Sequence, residues 1–166
     1  MDFLIFSDSH GRRNRIERVL DRQVQMPDAI FFLGDGIGDL SDRERGIPVF
    51  RVRGNCDWRF GQEEIPEEET LCFEGKRIVL CHGHRFGAKS GTTGLLREAL
   101  EKDADLILFG HTHRQLSEAV PAGTQIGSTI LQKPVYLFNP GSIGCEGNFG
   151  TLHLTPQTVL FAHGRL

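Results

Sequence analysis

The 166-residue chain has no C-x-x-C pair, no apolar run of membrane-spanning length and no excess of basic charge. Its four cysteines, Cys56, Cys72, Cys81 and Cys145, are scattered. A chain of this length builds a core without stapling, so reduced thiols are expected. A membrane helix needs about 20 consecutive apolar residues, and nothing here approaches that. The formal charge of -3 offers no basic stripe to follow a nucleic-acid backbone, which makes nucleic acid an unexpected partner. The opening "MDFLIFSDSHGRR" carries Asp2 and stays apolar only briefly, without the basic start and longer apolar core of a secretory signal. A cytoplasmic location is the resulting expectation. No repeat, low-complexity segment or linker divides the chain, so one domain over residues 1–166 is expected.

Glycine is over-represented: 20 residues in 166 exceed the roughly 7% average, and many follow apolar runs directly. Five such runs recur, "FLIF", "AIFFL", "PVFRV", "RIVLC" and "LILF". Their brevity and flanking glycines read as strands buried on both faces. Between the first two, "RRNRIERVLDRQV" places Ile16, Val19, Leu20 and Val24 at helical spacing; before the fifth, "GTTGLLREALEKDA" does the same with Leu95, Leu96, Ala99 and Leu100. A shorter helix is expected over 39–45. In the second half a hairpin is expected to turn at Glu74-Gly75, and strand pairs near Lys133-Pro134 and Pro156-Gln157. Acidic residues crowd 62–70, which reads as a solvated loop. The pattern is α/β at the N-terminal side, with a second, more antiparallel sheet packed on the first.

Each of the five runs is followed at once by metal-competent groups. "FLIFSDSH" delivers Asp8 and His10, "FFLGD" Asp35, and "FRVRGNCD" Asn55 with Cys56 and Asp57 beside it. "IVLCHGH" delivers His82 and His84, and "LILFGHTH" His111 and His113. Ligands collect outside the carboxyl ends of strands in open α/β sheets, so these positions should converge. In extended geometry Asp8 and His10, like His111 and His113, would share a face. Taken singly, any of these residues reads as a turn former, cap or satisfied partner; five of the seven histidines in such places point to one centre. Mixed carboxylate, carboxamide and imidazole suits Mn, Fe, Co, Ni or Zn better than calcium or a thiolate-rich structural zinc site, manganese being the first expectation, and there are too many ligands for one closed tetrahedral site. They suffice for two divalent metal ions sharing a carboxylate, a clamp for in-line phosphoryl displacement.

The series D-x-H, G-D, G-N-x-D, H-G-H and G-H-x-H, in that order, resembles the calcineurin-like metallophosphoesterase superfamily, and most closely its compact bacterial and archaeal phosphodiesterase branch, the YfcE-type family. The resemblance implies a four-layer αββα sandwich of two mixed sheets. It implies that Asp8, His10 and His113 hold one metal, Asn55, His82 and His111 the other, and that Asp35 bridges them. Asp35, Asn55 and His82 are thereby the catalytic candidates. It further implies a metal-shared hydroxide attacking phosphorus in line, on a small phosphoester substrate. Where many members place histidine after the motif asparagine, this chain has Cys56. His84 is the nearest candidate for the proton donor.

The remaining residues read more plainly. His153, alternating with apolar neighbours, is expected to face solvent, and His163 lies near the terminus. Asp57 either hydrogen-bonds a ligand or forms a turn. "NPGS" (139–142) is a rigid loop that borders the site without supplying a ligand. Asp39, Arg12 and Arg13 read as exposed helix charge. A nucleophilic Cys56 would need its own general base and would make the metals redundant. A phosphodiesterase is the first expectation, because no cap segment closes the site to two ester arms. The alternatives are a phosphomonoesterase and a non-catalytic metal-binding scaffold resembling the retromer small subunit. A superfamily nuclease is expected to bring a basic groove or extra domain, and the charge of -3 with no accessory segment counts against it.

Overall fold

The computed structural model describes residues 1–58 and 65–166. In chain order the elements are β1 (Asp2–Phe6), α1 (Arg13–Asp21), β2 (Ala29–Phe32), β3 (Arg43–Glu44), β4 (Ile47–Arg51), β5 (Glu68–Phe73), β6 (Lys76–Cys81) and α2 (Thr93–Glu101). There follow β7 (Leu106–Leu108), β8 (Leu116–Val120), β9 (Gln125–Ile126), β10 (Thr129–Ile130), β11 (Val135–Asn139), α3 (Ile143–Glu146), β12 (Asn148–Leu154) and β13 (Val159–Arg165). β9 and β10 form a separate two-stranded pair, while one large sheet runs β13-β12-β1-β2-β4-β3 and the other large sheet β5-β6-β7-β11-β8. Both are mixed: β1, β2 and β4 are mutually parallel, as are β6, β7 and β11, while the outer strands run antiparallel.

Alternation along the strands sorts the core into layers. Phe3, Ile5, Phe31 and Leu33 point from the first sheet onto Ile78, Leu80, Leu106, Leu108 and Phe138 of the second. On the first sheet's other face, Leu4, Phe6, Ile30 and Phe32 meet Ile16, Val19 and Leu20 of α1. On the second sheet's outer face, Val79, Ile107 and Leu137 meet Leu95, Leu96 and Ala99 of α2. The result is the αββα order the resemblance implies. Each fully buried Leu, Ile or Phe in these layers contributes about 1.5–3 kcal/mol of transfer free energy.

Several expectations need correction. No helix spans 39–45: a 3-10 turn covers Ile37–Asp39, and Arg43–Glu44 pairs with β4. α1 ends at Asp21, leaving Val24 fully exposed beyond it. Within the acidic stretch, 62–64 lie outside the described residues, and Glu68, Glu69 and Thr70 belong to β5 rather than to a loop. The strand before Lys133-Pro134 pairs with β9, while β11 joins β7 and β8. The hairpins turning at Glu74-Gly75 and Pro156-Gln157 are present as expected. Among the described residues no helix is long and apolar enough to cross a membrane.

Candidate metal centre

Parallel strands send their carboxyl ends the same way, and here β1, β2, β4, β6 and β7 each stop one to four residues short of a candidate ligand. The extended geometry expected for the D-x-H and H-x-H pairs is not what the loops adopt. Asp8, His10, Asp35, His111 and His113 all have left-handed backbones, with φ between 47° and 65°. Non-glycine residues rarely sit there, and at functional sites such strain is held by the surrounding structure. The reversal is what parts the H-x-H pair. His113 Nε2 lies 3.4 Å from His10 Nε2 and 3.1 Å from Asp8 Oδ1, whereas the His111 ring packs on His82, with centroids 5.1 Å apart.

Among the described residues, three sets have potential ligand atoms within 4.8 Å of one another inside each set: Asp8, His10 and His113; His10, Asp35 and Cys56; and Asp8, Asp35 and His82. The structure thus brings Asp8, His10, Asp35, His82 and His113 into one cluster. His111 stands beside it against His82 and His84, and Asn55 at its exposed edge, where the carboxamide donates to Cys56 Sγ at 3.3 Å.

The donor set fits divalent cations. Leu33 O can only accept, so the 2.7 Å contact places the proton of His82 on Nδ1 and leaves Nε2 as a lone pair. That Nε2 and Asp8 Oδ1, 3.9 Å apart, are both buried and make no hydrogen bond of good geometry among the described residues, with Asp35 Oδ2 3.3 Å from the first and His113 Nε2 3.1 Å from the second. The other oxygen, Asp8 Oδ2, is occupied by Ser7 Oγ at 2.6 Å and the His111 amide at 3.2 Å. Buried polar atoms left unpaired cost on the order of 1–3 kcal/mol each, a cost a cation between them removes. Burial works against a charged His82, but the Asp35 and Asp8 carboxylates outweigh it and raise its basicity. Carboxylates that favour a proton there equally favour a metal. Asp8 is pushed up by burial, whereas for Asp35 the effect of burial is overcome by His82 and the Cys56 amide, which hold it low. His111 falls to about 4, through burial and then the charges of His82 and Lys89. The Cys56 thiol is pushed up to about 11 by burial and by Asp35, opposite to what a thiolate nucleophile needs.

The loops are held by residues the sequence reading undervalued. The buried Asp57 carboxylate accepts the amides of Asp35, Gly36, Ile37 and Gly54, at 2.7 to 3.1 Å, tying the G-D loop to the G-N-x-D loop. That approach demands glycine: a Cβ on Gly54 would lie 2.1 Å from Asp35 Oδ1. Asn139, at the end of β11, donates to Gly110 O at 2.7 Å and Thr112 Oγ1 at 3.1 Å, fixing the loop between the two histidines. Ser142 Oγ donates to Asp8 O at 2.9 Å. Asp39 is no helix charge; it receives Ser9 Oγ at 2.5 Å and the Gly11 amide at 2.9 Å and so braces the D-S-H loop. Arg13 reaches Glu44 and Glu17, so it is engaged in ion pairs. The cue in the sequence was position alone: Asp57 and 139–142 follow strands just as the ligands do. His153 is exposed and pairs with Asp2.

The calcineurin-like phosphoesterase superfamily domain model matches residues 1–163. The chain belongs to that superfamily. It is 31% identical to the probable metallophosphoesterase YsnB of Bacillus subtilis, over 86% of this chain and 75% of the relative. It is 30% identical to the phosphodiesterase YfcE of Escherichia coli, over 96% of this chain and 90% of the relative. The structure of wild-type Vps29 complexed with Zn²⁺, from Entamoeba histolytica, superposes with a TM-score of 0.70 at 19% identity, covering 99% of each chain; this likeness is one of fold. Membership of the superfamily gives the cluster its context: a phosphoesterase fold whose strand ends carry a set of divalent-metal donors.

Proposed function

We propose that this calcineurin-like chain acts as one domain, a divalent-metal-dependent phosphodiesterase with two adjacent cations. Asp8, His10 and His113 hold one, Asn55, His82 and His111 the other, and Asp35 is shared. The observation that carries the reading is the pair of buried orphan atoms, Asp8 Oδ1 and His82 Nε2, facing each other beside His10 and His113. When bound, such ions supply an activated water near neutral pH and neutralise the phosphoryl oxygens.

The chain's own residues set the geometry for this. Leu33 O fixes the His82 tautomer, Ser7 and the His111 amide turn one lone oxygen of Asp8 into the cluster, and the Cys56 amide orients Asp35 at 2.8 Å. His84, whose ring centroid lies 6.1 Å from that of His111, is the candidate for protonating the leaving alcohol in place of the histidine that Cys56 replaces, with burial and then His82 lowering its basicity and so working against that role. The similarity to YfcE favours diesters, and manganese is the first metal to try. A phosphomonoesterase is the nearest alternative. The fold likeness to Vps29 supports a second reading, a binding scaffold, against which stands the motif series, present in the sequence at every position.

The test is hydrolysis of bis-p-nitrophenyl phosphate and p-nitrophenyl phosphate by chelator-treated protein, with and without Mn²⁺. Metal-restored turnover that favours the diester supports the proposal. Absence of turnover with any divalent metal, in protein that binds the ions, transfers the weight to the scaffold.

A further inference from the structure

Beside the cluster, between the start of α2 and the loop that carries His111 and His113, lies a cavity of about 490 Å³. Small-ligand sites span roughly 300–1,000 Å³. Lys89, Thr92, Phe109, Thr112, Arg114 and Gln115 line it.

The cavity is locked in register with the centre. Arg114 directly follows His113, and its amide is held at 3.2 Å by Thr112 Oγ1, the atom Asn139 also grips. Also in the lining, Lys89 follows Ala88, which together with Phe109 borders Gly83 of the H-G-H loop. Lys89 is also close enough to His111 to influence its basicity. A molecule whose phosphorus sits at the cluster therefore has this cavity as its neighbour.

Its charge is one-sided. Arg13, Arg45, Arg85 and Lys133 spend their charges on carboxylates. The exposed side chains of Lys89 and Arg114 have no ion-pair or hydrogen-bond partner among the described residues, and no acidic residue lines the cavity. Two cations suit a dianion, and the guanidinium fork matches phosphate oxygens bidentately; a carboxylate would leave one charge unmatched. Thr92 and Gln115 add neutral hydrogen-bonding groups, and Phe109 an apolar floor.

We propose that this cavity receives one alcohol arm of the phosphodiester and that Lys89 and Arg114 select arms bearing a terminal phosphate. The inference rests on the phosphodiesterase reading and narrows it to a substrate class: diesters, such as a 5′-phosphorylated dinucleotide, that carry a phosphomonoester besides the scissile bond.

The experiment is calorimetric titration of Mn²⁺-loaded protein with turnover-resistant, phosphorothioate-linked thymidine dinucleotides, with and without a 5′-phosphate. It is repeated on Lys89→Gln/Arg114→Gln, whose unfolding midpoint is checked against wild type. Wild type should bind the phosphorylated form about tenfold more tightly, and the double variant should lose most of that preference. Equal binding by wild type, or a preference that survives in the variant because the metals rather than the cavity take the phosphate, overturns the proposal. Hydrolysis of bis-p-nitrophenyl phosphate is measured on the same samples. Turnover without phosphate selectivity removes the cavity assignment alone. Selective, Lys89- and Arg114-dependent binding without turnover of any diester leaves the cavity standing as a binding site and removes the phosphodiesterase reading.

Discussion

The Asp57 carboxylate accepts the backbone N–H of Asp35 at 2.7 Å, so one buried acid fixes the backbone of another that stands in the candidate metal cluster. The same carboxylate takes three further amides, from Gly36, Ile37 and Gly54, and all four bonds are charge-assisted. Asp57→Asn keeps the shape but loses the charge and one acceptor, stranding buried donors. It should destabilise the protein by about 2–4 kcal/mol and weaken metal binding, seen as a lower urea midpoint and a lower metal content after dialysis.

Asp35→Asn is expected to reduce both metal retention and diesterase turnover, the latter by roughly a hundredfold or more, because the proposed centre has two ions share this one carboxylate. Metal analysis beside bis-p-nitrophenyl phosphate kinetics reads both. Unchanged activity at saturating metal would sink the bridging assignment.

Asn139→Ala removes the donor that holds Gly110 O and Thr112 Oγ1. The loop carrying His111 and His113 should then sample other positions, with metal affinity falling roughly tenfold to a hundredfold, as for other supports of metal ligands. Calorimetric Mn²⁺ titration measures it; an affinity equal to wild type would show that the left-handed backbone at the histidines holds without this tie.

Glu44 supplies the pH test. It receives Arg13 at 2.8 Å and both the amide and hydroxyl of Ser41. Burial raises its carboxyl, but these donors outweigh burial and hold it below the ordinary range. A folded-state value depressed below the unfolded one gives stability that is complete at neutral pH and lost as pH falls through the lowered value. Glu44→Gln should therefore cost about 1–3 kcal/mol at pH 7, with the gap to wild type closing in acid below the glutamate reference of about 4.3. Denaturant midpoints of the pair across that window decide it. A gap that is constant with pH would assign the loss to packing instead.

His153→Gln should leave turnover within about twofold of wild type and stability within about 1 kcal/mol, since His153 is exposed and its ion pair with Asp2 is a surface one. A hundredfold loss of turnover would mean that the centre has been misplaced.

The local character of the chain was legible in its sequence. Short apolar runs closed by glycine favoured strands ending in turns over buried helix, and the amphipathic spacing of Ile16, Val19 and Leu20 or of Leu95, Leu96 and Ala99 favoured surface helices, as the structure has them. The candidate ligands stood out for the same reason: a strand end followed by acids or imidazoles is written in consecutive letters. Where the pattern was short and polar the reading failed. Residues 39–45 carry too few apolar positions to choose between helix and edge strand, and pairing with β4 made the choice. Likewise, nothing local distinguishes Glu68 and Glu69 in a strand from the same acids in a loop.

What only the tertiary structure decided is how the strand ends are tied to one another. That Asp57 would bind the Asp35 amide, that Asn139 would hold the loop of His111 and His113, and that Leu33 O would leave His82 Nε2 free are contacts between residues 22 to 49 positions apart. A sequence records which donors and acceptors exist. Hydrogen bonds at such separations form only where two packed sheets bring the loops together, and packing depends on the whole core at once.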